Sequence, residues 1–478
     1  MRRANRSIVG LGIALGTSLA MVPVAPSSAA DAAPTTATAP AFMLRDVARP
    51  VLFFGDDATA QRMFTTLVET YTLSRFPAWT VTFRNTGLAG DKILAVGPRG
   101  YSRDQIIRRD IEAFRPQIAI VNYGDNDARD GDAGMKDFRV RMNVLCRDLP
   151  RIGVYRMAFL SPSPAEGTEA GAPAGSKFNL ALRTYADVEQ AQLPVSWKDG
   201  VDSVRAHPKG PELPRLADGV FVDVLNPMIG LIEAGRAAGV LARDGGPPTT
   251  LPRLVHDGDH PGWAGHLVIA ATLLQALHAP DLVSAAELDA PARATRSATG
   301  CTITWQDTPA GVIQFQRLDD ALPWPTPPEV DPALRLPGFD PATTLNRYEL
   351  KVTGLAAPAY TLSIDGQPIG TYKPAELAAG VNLGFVRRGP IYDQGQRLLK
   401  AVVEKNDAFA HRWQDVQLGP PPPAGTSAAD QRKLESTHLA TVRPELARLD
   451  AAIAEQERAI RTLCRPVAHT FRLEPAKP

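Results

Sequence analysis

Four short segments carry the residues capable of chemistry: Gly55-Asp56-Asp57, Asn85-Thr86-Gly87-Leu88-Ala89-Gly90-Asp91, Gly124-Asp125-Asn126-Asp127 and Asp257-Gly258-Asp259-His260-Pro261. Asp257 and His260 have the D-x-x-H spacing. Aspartate is already ionised near neutral pH, and a carboxylate beside an imidazole holds it as imidazolium by charge pairing. Asp57 or His260 could activate a water as general base. If Asp56, Asp57, Asp127, Asp257 and His260 converge, they form an acidic cluster with one histidine, which can hold a divalent metal. Asp57 could also attack phosphorus, where an acyl phosphate is accessible. No spacing favours the metal or phosphoryl case, so the sequence assigns no metal and no cofactor.

The elements that must position these residues read as an α/β unit over residues 48–290. Val51 to Phe54 is a short apolar run ending in glycine, as a buried strand should. Thr80 to Phe83, Ile118 to Tyr123, Tyr155 to Ser161 and Gly219 to Val224 are further strands. Helices are expected over Ala58 to Tyr71, Ser102 to Phe114, Asp137 to Leu149 and Gly262 to Leu277. Alternating strands and helices imply a parallel sheet covered on both faces. A residue following Gly55 is then presented at the carboxyl end of the sheet, where α/β sites form. Pro164 to Ser176 reads as a surface loop and Leu193 to Pro214 as irregular chain. Residues 291–385 alternate polar and apolar around turn signals, notably Asp307 to Gly311 and Asp365-Gly366, and form a β-rich region with a proline-rich connector. Residues 386–478 read as helical, with an interruption near Pro444. Leu446, Leu449, Ile453, Ile460 and Leu463 recur at heptad spacing, which fits an antiparallel helix pair packed on its own chain.

The chain of 478 residues has room for two or three domains. Lys+Arg 52 nearly balances Asp+Glu 51, so no net field directs it to nucleic acid or to an anionic membrane. Arg2, Arg3 and Arg6, the apolar run Ile8 to Val24 and the small residues Pro26 to Ala30 read as a signal peptide over residues 1–30, with an anchoring helix as the alternative. Residues 31–47 read as a disordered leader. The protein is thus expected to be secreted or periplasmic, with no membrane insertion after cleavage. Cys146, Cys301 and Cys464 make neither a disulfide framework nor a zinc pattern; three separate thiols or one bridge, Cys301 to Cys464, are both open.

In their order and their positions after strands, the four segments resemble the blocks of the SGNH (GDSL) hydrolases, large exported bacterial type. The resemblance implies a three-layer, flavodoxin-like parallel sheet and activity of the carbohydrate O-acyl esterase kind on a small-molecule or carbohydrate ester. It places Asp57 in the slot of the nucleophile serine. It makes His260 the base and Asp257 the carboxylate that orients it. Asn126 and Gly90, with Gly87 as the fallback, become oxyanion-hole donors together with the N–H of residue 57. Aspartate in the serine slot departs from the pattern. It would hold His260 protonated, occupy the oxyanion space and give a mixed anhydride with an ester, so ordinary esterase activity is expected to be lost. A ligand-binding pseudoenzyme and a water-activating esterase stay open beside it.

Overall fold

The structure, a computed structural model, describes residues 41–45, 47–95, 103–166, 177–207, 217–243, 250–423 and 425–476. The signal peptide expected over residues 1–30 lies outside these. The described residues form three sheets. In the first, β1 (Val51–Gly55), β2 (Phe83–Asn85), β3 (Ile118–Asn122), β4 (Arg156–Leu160) and β5 (Asp218–Val222) run parallel in the order β2-β1-β3-β4-β5. Successive residues of β1 point to opposite faces, as the strand period of two requires. Val51 and Phe53 enter one buried cluster and Leu52 and Phe54 the other.

The chain reaches the site through α1 (Asp57–Ala60) and α2 (Met63–Arg75), then through α3 (Arg103–Ile106), which runs on as a π-helical turn. α4 (Asp125–Ala128) and α5 (Gly131–Arg151) follow β3, and α6 (Lys177–Arg205) follows β4. α7 (Leu225–Ala237) and α8 (Trp263–Ala276) come after β5. α2 and α8 cover one face, α5 and α6 the other, and α7 contributes to both clusters. This is the three-layer arrangement with a parallel sheet that the sequence led us to expect.

β6 (Leu282–Asp289), β7 (Ala294–Thr299), β8 (Cys301–Trp305) and β9 (Ile313–Asp319) come next, followed by α9 (Pro341–Thr344). Then come β10 (Arg347–Thr353), β11 (Tyr360–Ile364), β12 (Gln367–Tyr372), α10 (Pro374–Ala379) and β13 (Val381–Asn382). α11 (Pro390–Ala410), α12 (Ala428–Leu463) and β14 (His469–Pro475) close the chain. The second sheet has the order β13-β10-β6-β7 and the third β12-β11-β14-β9-β8. Buried Arg317 joins these two sheets. It donates to Asp319 on its own strand at 2.8 Å and to Ser284 on β6 at 2.7 Å, and it lies 4.2 Å over the Tyr348 ring on β10.

Several expectations need correction. β6 begins at Leu282 and belongs to the second sheet, so the β-rich region starts before residue 291. The region 386–478 is not wholly helical: β14 inserts between β9 and β11, where its alternating Phe471 and Leu473 are fully buried. The part of the expected leader that is described is packed, since Phe42, Leu44 and Val47 are buried and Phe42 stacks on Phe76 and Trp79. The stretch expected to be irregular from Leu193 is helical to Arg205, straight through Pro194. α12 likewise continues through Pro444, which is exposed, so the carbonyl it leaves unpaired is open to water. The three cysteines are free thiols. No helix among the described residues is long and apolar enough to cross a membrane.

α11 and α12 pack on the α2 side of the parallel sheet through Leu398, Val402 and Ile460. A buried ion pair ties α11 to α2: Lys405 Nζ lies 2.8 Å from Glu69 Oε1, with Asn406 donating to Glu69 and Thr66. Charges this deep are tolerable only when paired and hydrogen-bonded, so this contact fixes which face of α11 meets the sheet layer.

Candidate active site

The turn after β1 is shaped by close backbone approach. A Cβ on Gly55 would stand 2.2 Å from the Asn122 carbonyl at the end of β3, and one on Gly87 would stand 2.6 Å from the backbone of Thr59 and Ala60. Only glycine lets the second-block loop lie against α1 this closely. Asn85 at the end of β2 staples the two together. Its amide donates to Thr59 O at 2.9 Å and Thr65 Oγ1 at 3.1 Å, and its Oδ1 accepts the Gly87 N–H at 2.8 Å. Asp57, the first residue of α1, is thereby held beside the Gly90 loop.

The structure brings all five sequence-predicted residues together. Gly90, at φ +73°, donates its N–H to Asp57 Oδ2 at 3.0 Å, and the Asn126 side-chain amide donates to the same oxygen. Asp57 Oδ1 faces His260 Nε2 at 3.6 Å. The other ring nitrogen, Nδ1, meets Asp257 Oδ2 at 2.8 Å. Asp257 Oδ1 accepts the backbone N–H groups of Asp259 at 2.9 Å and His260 at 2.6 Å. His260 therefore stands between two carboxylates, and the two donors aimed at an oxyanion position are both engaged by Asp57 itself.

The electrostatics follow from this geometry. For His260, partial burial works against the charged form, but the Asp257 hydrogen bond and the charges of Asp257, Asp57 and Asp259 outweigh it and raise the imidazole above its usual range. For Asp257, desolvation is likewise outweighed, here by the His260 and Asp259 backbone N–H groups and the His260 ring, and the carboxyl is held well below the usual range. The Asp257–His260 contact thus favours the charged form of both groups.

Residues outside the motifs brace the site. Buried Glu166 accepts the N–H groups of Leu254 at 3.1 Å and Val255 at 2.9 Å, pairs with Arg236 at 2.9 Å, and donates its own N–H to the Gly258 carbonyl at 2.9 Å. It thus fixes the loop that carries Asp257 and His260. Arg129 bridges the third and fourth blocks, at 3.2 Å from Asp125 and 3.4 Å from Asp259. His266 is fully buried. Its Nδ1 accepts the Phe64 N–H at 3.2 Å, so Nε2 carries the proton and donates to Gln61 Oε1 at 2.5 Å. Burial, with the charges of His256 and His260, pushes the His266 imidazole down to about 3, so it stays neutral and structural.

Beneath the site lie buried carboxyls. Burial, followed by the neighbouring acids Asp125, Asp57, Asp127 and Asp91, pushes Asp56 well up. Burial carries Asp127 up to about 6 and Asp91 up to about 7 despite their hydrogen bonds to the Ile93 N–H and the Tyr123 hydroxyl. Asp56 and Asp127 are thus packed behind the turn, while Asp57, Asp257 and His260 meet in front of it. The convergence of all five acidic and histidine residues does not occur, and no group of three or more metal-ligating side chains among the described residues could hold an ion.

Asp57 and His260 open into a cavity of about 470 Å³ lined also by Gln61, Arg62, Leu88, Ala89 and Gln414. Arg62 is held there by Asp407 at 3.2 Å and by the Ala60 carbonyl at 3.0 Å. Gln414 comes from the π-helical turn His411–Gln417 that continues α11, and its amide donates to the Gly87 carbonyl at 3.2 Å. The C-terminal region therefore builds one wall of the cleft. Along the chain, 327 residues separate Gln414 from Gly87. A π-turn at a site wall is a recurring device for re-aiming a side chain, but no local sequence signal announces it.

The chain matches no protein-family profile and no curated protein. Among solved structures, a gut microbial diltiazem-metabolizing enzyme superposes with a TM-score of 0.65 at 19% identity, over 90% of this chain and 98% of that one. An acetylxylan esterase from Geobacillus stearothermophilus matches 48% of this chain and 94% of its own at 16% identity, with a TM-score of 0.34. An α/β hydrolase enzyme from the Lake Arreo metagenome matches 48% and 96% at 17% identity, with a TM-score of 0.33. The first of these covers 90% of this chain, so the two share a fold along nearly its whole length.

Proposed function

We propose that this protein is an exported hydrolase of the SGNH type, similar to carbohydrate O-acyl esterases, in which serine acyl transfer is closed and the Asp57 carboxylate has taken the nucleophile's place. The observation that carries this reading is the pair of donors, Gly90 N–H and the Asn126 amide, both spent on Asp57 Oδ2. An ester carbonyl entering the cleft finds the oxyanion position filled by a negative charge. Attack by Asp57 on that carbonyl would give an anhydride that returns to reactants faster than it is hydrolysed. The retained Asp257–His260 pair and the open cavity support a site still built for hydrolysis rather than one that has collapsed. The polar side chains Gln61, Arg62 and Gln414 at the cavity wall suit a small ligand bearing hydroxyl groups.

The test is hydrolysis of 4-nitrophenyl acetate and acetylated xylan by the native protein beside Asp57→Ser. The native chain should not exceed the protein-free rate, and the serine variant should. Ester turnover by the native chain through an acyl-enzyme would overturn the reading. Export is tested separately by sequencing the N-terminus of the secreted protein, which should begin close to Asp31; an intact Met1 on the exported chain refutes cleavage.

A further inference from the structure

We propose that Asp57 is a nucleophile toward saturated carbon: its Oδ1 displaces halide from a small alkyl halide, and the resulting ester is hydrolysed by water that His260 activates. This rests on the reading that serine acyl transfer is closed, and it names the reaction that replaces it.

The two oxygens of Asp57 have different surroundings. Oδ2 is fixed by the Gly90 N–H and the Asn126 amide, whereas Oδ1 lies 3.6 Å from His260 Nε2, and both residues line the cavity. A carboxylate fails at an acyl carbon because the product is an anhydride. At a saturated carbon the product is an ordinary carboxylic ester, and carboxylate nucleophiles form such covalent intermediates readily. That enzyme-bound ester has its carbonyl oxygen, Oδ2, already seated between two donors. The second half of a serine-esterase cycle needs the same arrangement: an ester carbonyl in the oxyanion position and a histidine base within reach of the attacking water. What replaced the serine has therefore blocked the first half of that cycle and kept the second.

In the first step the Oδ1–carbon bond forms, the carbon–halogen bond breaks, and the halide leaves with the electron pair. Leu88 and Ala89 line the same cavity and offer apolar surface to a short alkyl chain, and Arg62, whose charge is shared with Asp407, lies at its wall. In the second step water adds to Asp57 Cγ and gives its proton to His260 Nε2. The oxyanion on Oδ2 is held by Gly90 and Asn126. Collapse breaks the Cγ–Oδ1 bond, and the alkoxide takes the proton back from His260. The net reaction is alkyl halide plus water to alcohol plus hydrogen halide, with one water oxygen left in the Asp57 carboxylate. The site also times the base. While Asp57 is anionic it helps hold His260 protonated; esterification removes that charge and frees the imidazole when water must be deprotonated.

The experiment uses 1-bromobutane with the full mature chain. Native protein in excess over probe, in oxygen-18 water, should release bromide and leave the label in the peptide containing Asp57, with the butanol unlabelled. His260→Gln should accumulate a butyl group on that peptide and lose about 100-fold or more in bromide turnover. Asp57→Asn should form no adduct. Label in the butanol after a single turnover would overturn the proposal and make Asp57 a base acting on water. So would the absence of both bromide release and adduct in protein whose melting curve is intact. Because the readouts are bromide and an alkyl adduct, they fail independently of the ester assays that test the closure of acyl transfer.

Discussion

Replacing Asp57 with serine should convert the site into a working acyl esterase, and the size of the effect can be worked from the contacts. The substitution removes the carboxylate that occupies the Gly90 and Asn126 donors and places a hydroxyl near the position of the Asp57 Cγ. Losing one oxyanion donor typically costs about 3–4 kcal/mol in the transition state, so freeing two of them for substrate restores several orders of magnitude. The second effect is on the base. At 3.6 Å an Asp57–His260 attraction is worth about 1 kcal/mol where water screens it, and their side chains are 19% and 33% exposed, so screening applies. Removing it should lower the His260 pKa and raise the fraction of neutral imidazole. Together these predict a rise in kcat for 4-nitrophenyl acetate of about a thousandfold or more over the native chain. The assay is a pH–rate profile of both proteins, with the His260 titration followed by NMR. A gain of less than tenfold in folded Asp57→Ser, with His260 titrating where it does in the native protein, would refute the claim that Asp57 both fills the oxyanion position and protonates the base.

Other outcomes follow from the supporting structure. Lys405→Met should destabilise the protein by about 3–5 kcal/mol because it leaves buried Glu69 unpaired, whereas the double variant Lys405→Met/Glu69→Leu should recover most of that loss in chemical denaturation. Asp127 has its pKa raised by burial to about 6, so the folded state binds a proton that the unfolded chain releases near pH 4; its contribution to stability is present below that pH and is lost as pH rises toward about 6. Asp127→Asn should therefore remove about 3 kcal/mol of pH-dependent destabilisation, seen as a higher melting temperature at pH 8 and a flatter profile between pH 4 and 6. Gly87→Ala drives a methyl into the Thr59–Ala60 backbone and should destabilise by about 1–3 kcal/mol while displacing Asp57, read by denaturation and by loss of ester hydrolysis when combined with Asp57→Ser.

What was legible in the sequence was what local chemistry encodes. Gly55 and the apolar run before it mark a strand end, and Asp257 and His260 lie within one turn, so their pairing is nearly fixed by spacing. Asp365 and Gly366, both at positive φ, make the hairpin between β11 and β12 that their identities announce. The departure at residue 57 was equally plain, because a carboxylate for a hydroxyl changes charge wherever it is placed. Tertiary structure decided what depends on distant chain. It aimed Gly90 and Asn126 at one oxygen of Asp57 and left the other facing His260. It also carried Gln414 to the cleft wall, set Glu166 under the His260 loop, and slid β14 between β9 and β11. The motif blocks announced Gly90 and Asn126 as a pair of donors, but the contacts of Gln414 and Glu166 leave no periodic or spacing signal in the sequence. Each is settled by the burial and pairing of groups that meet only once the sheets and helices have packed.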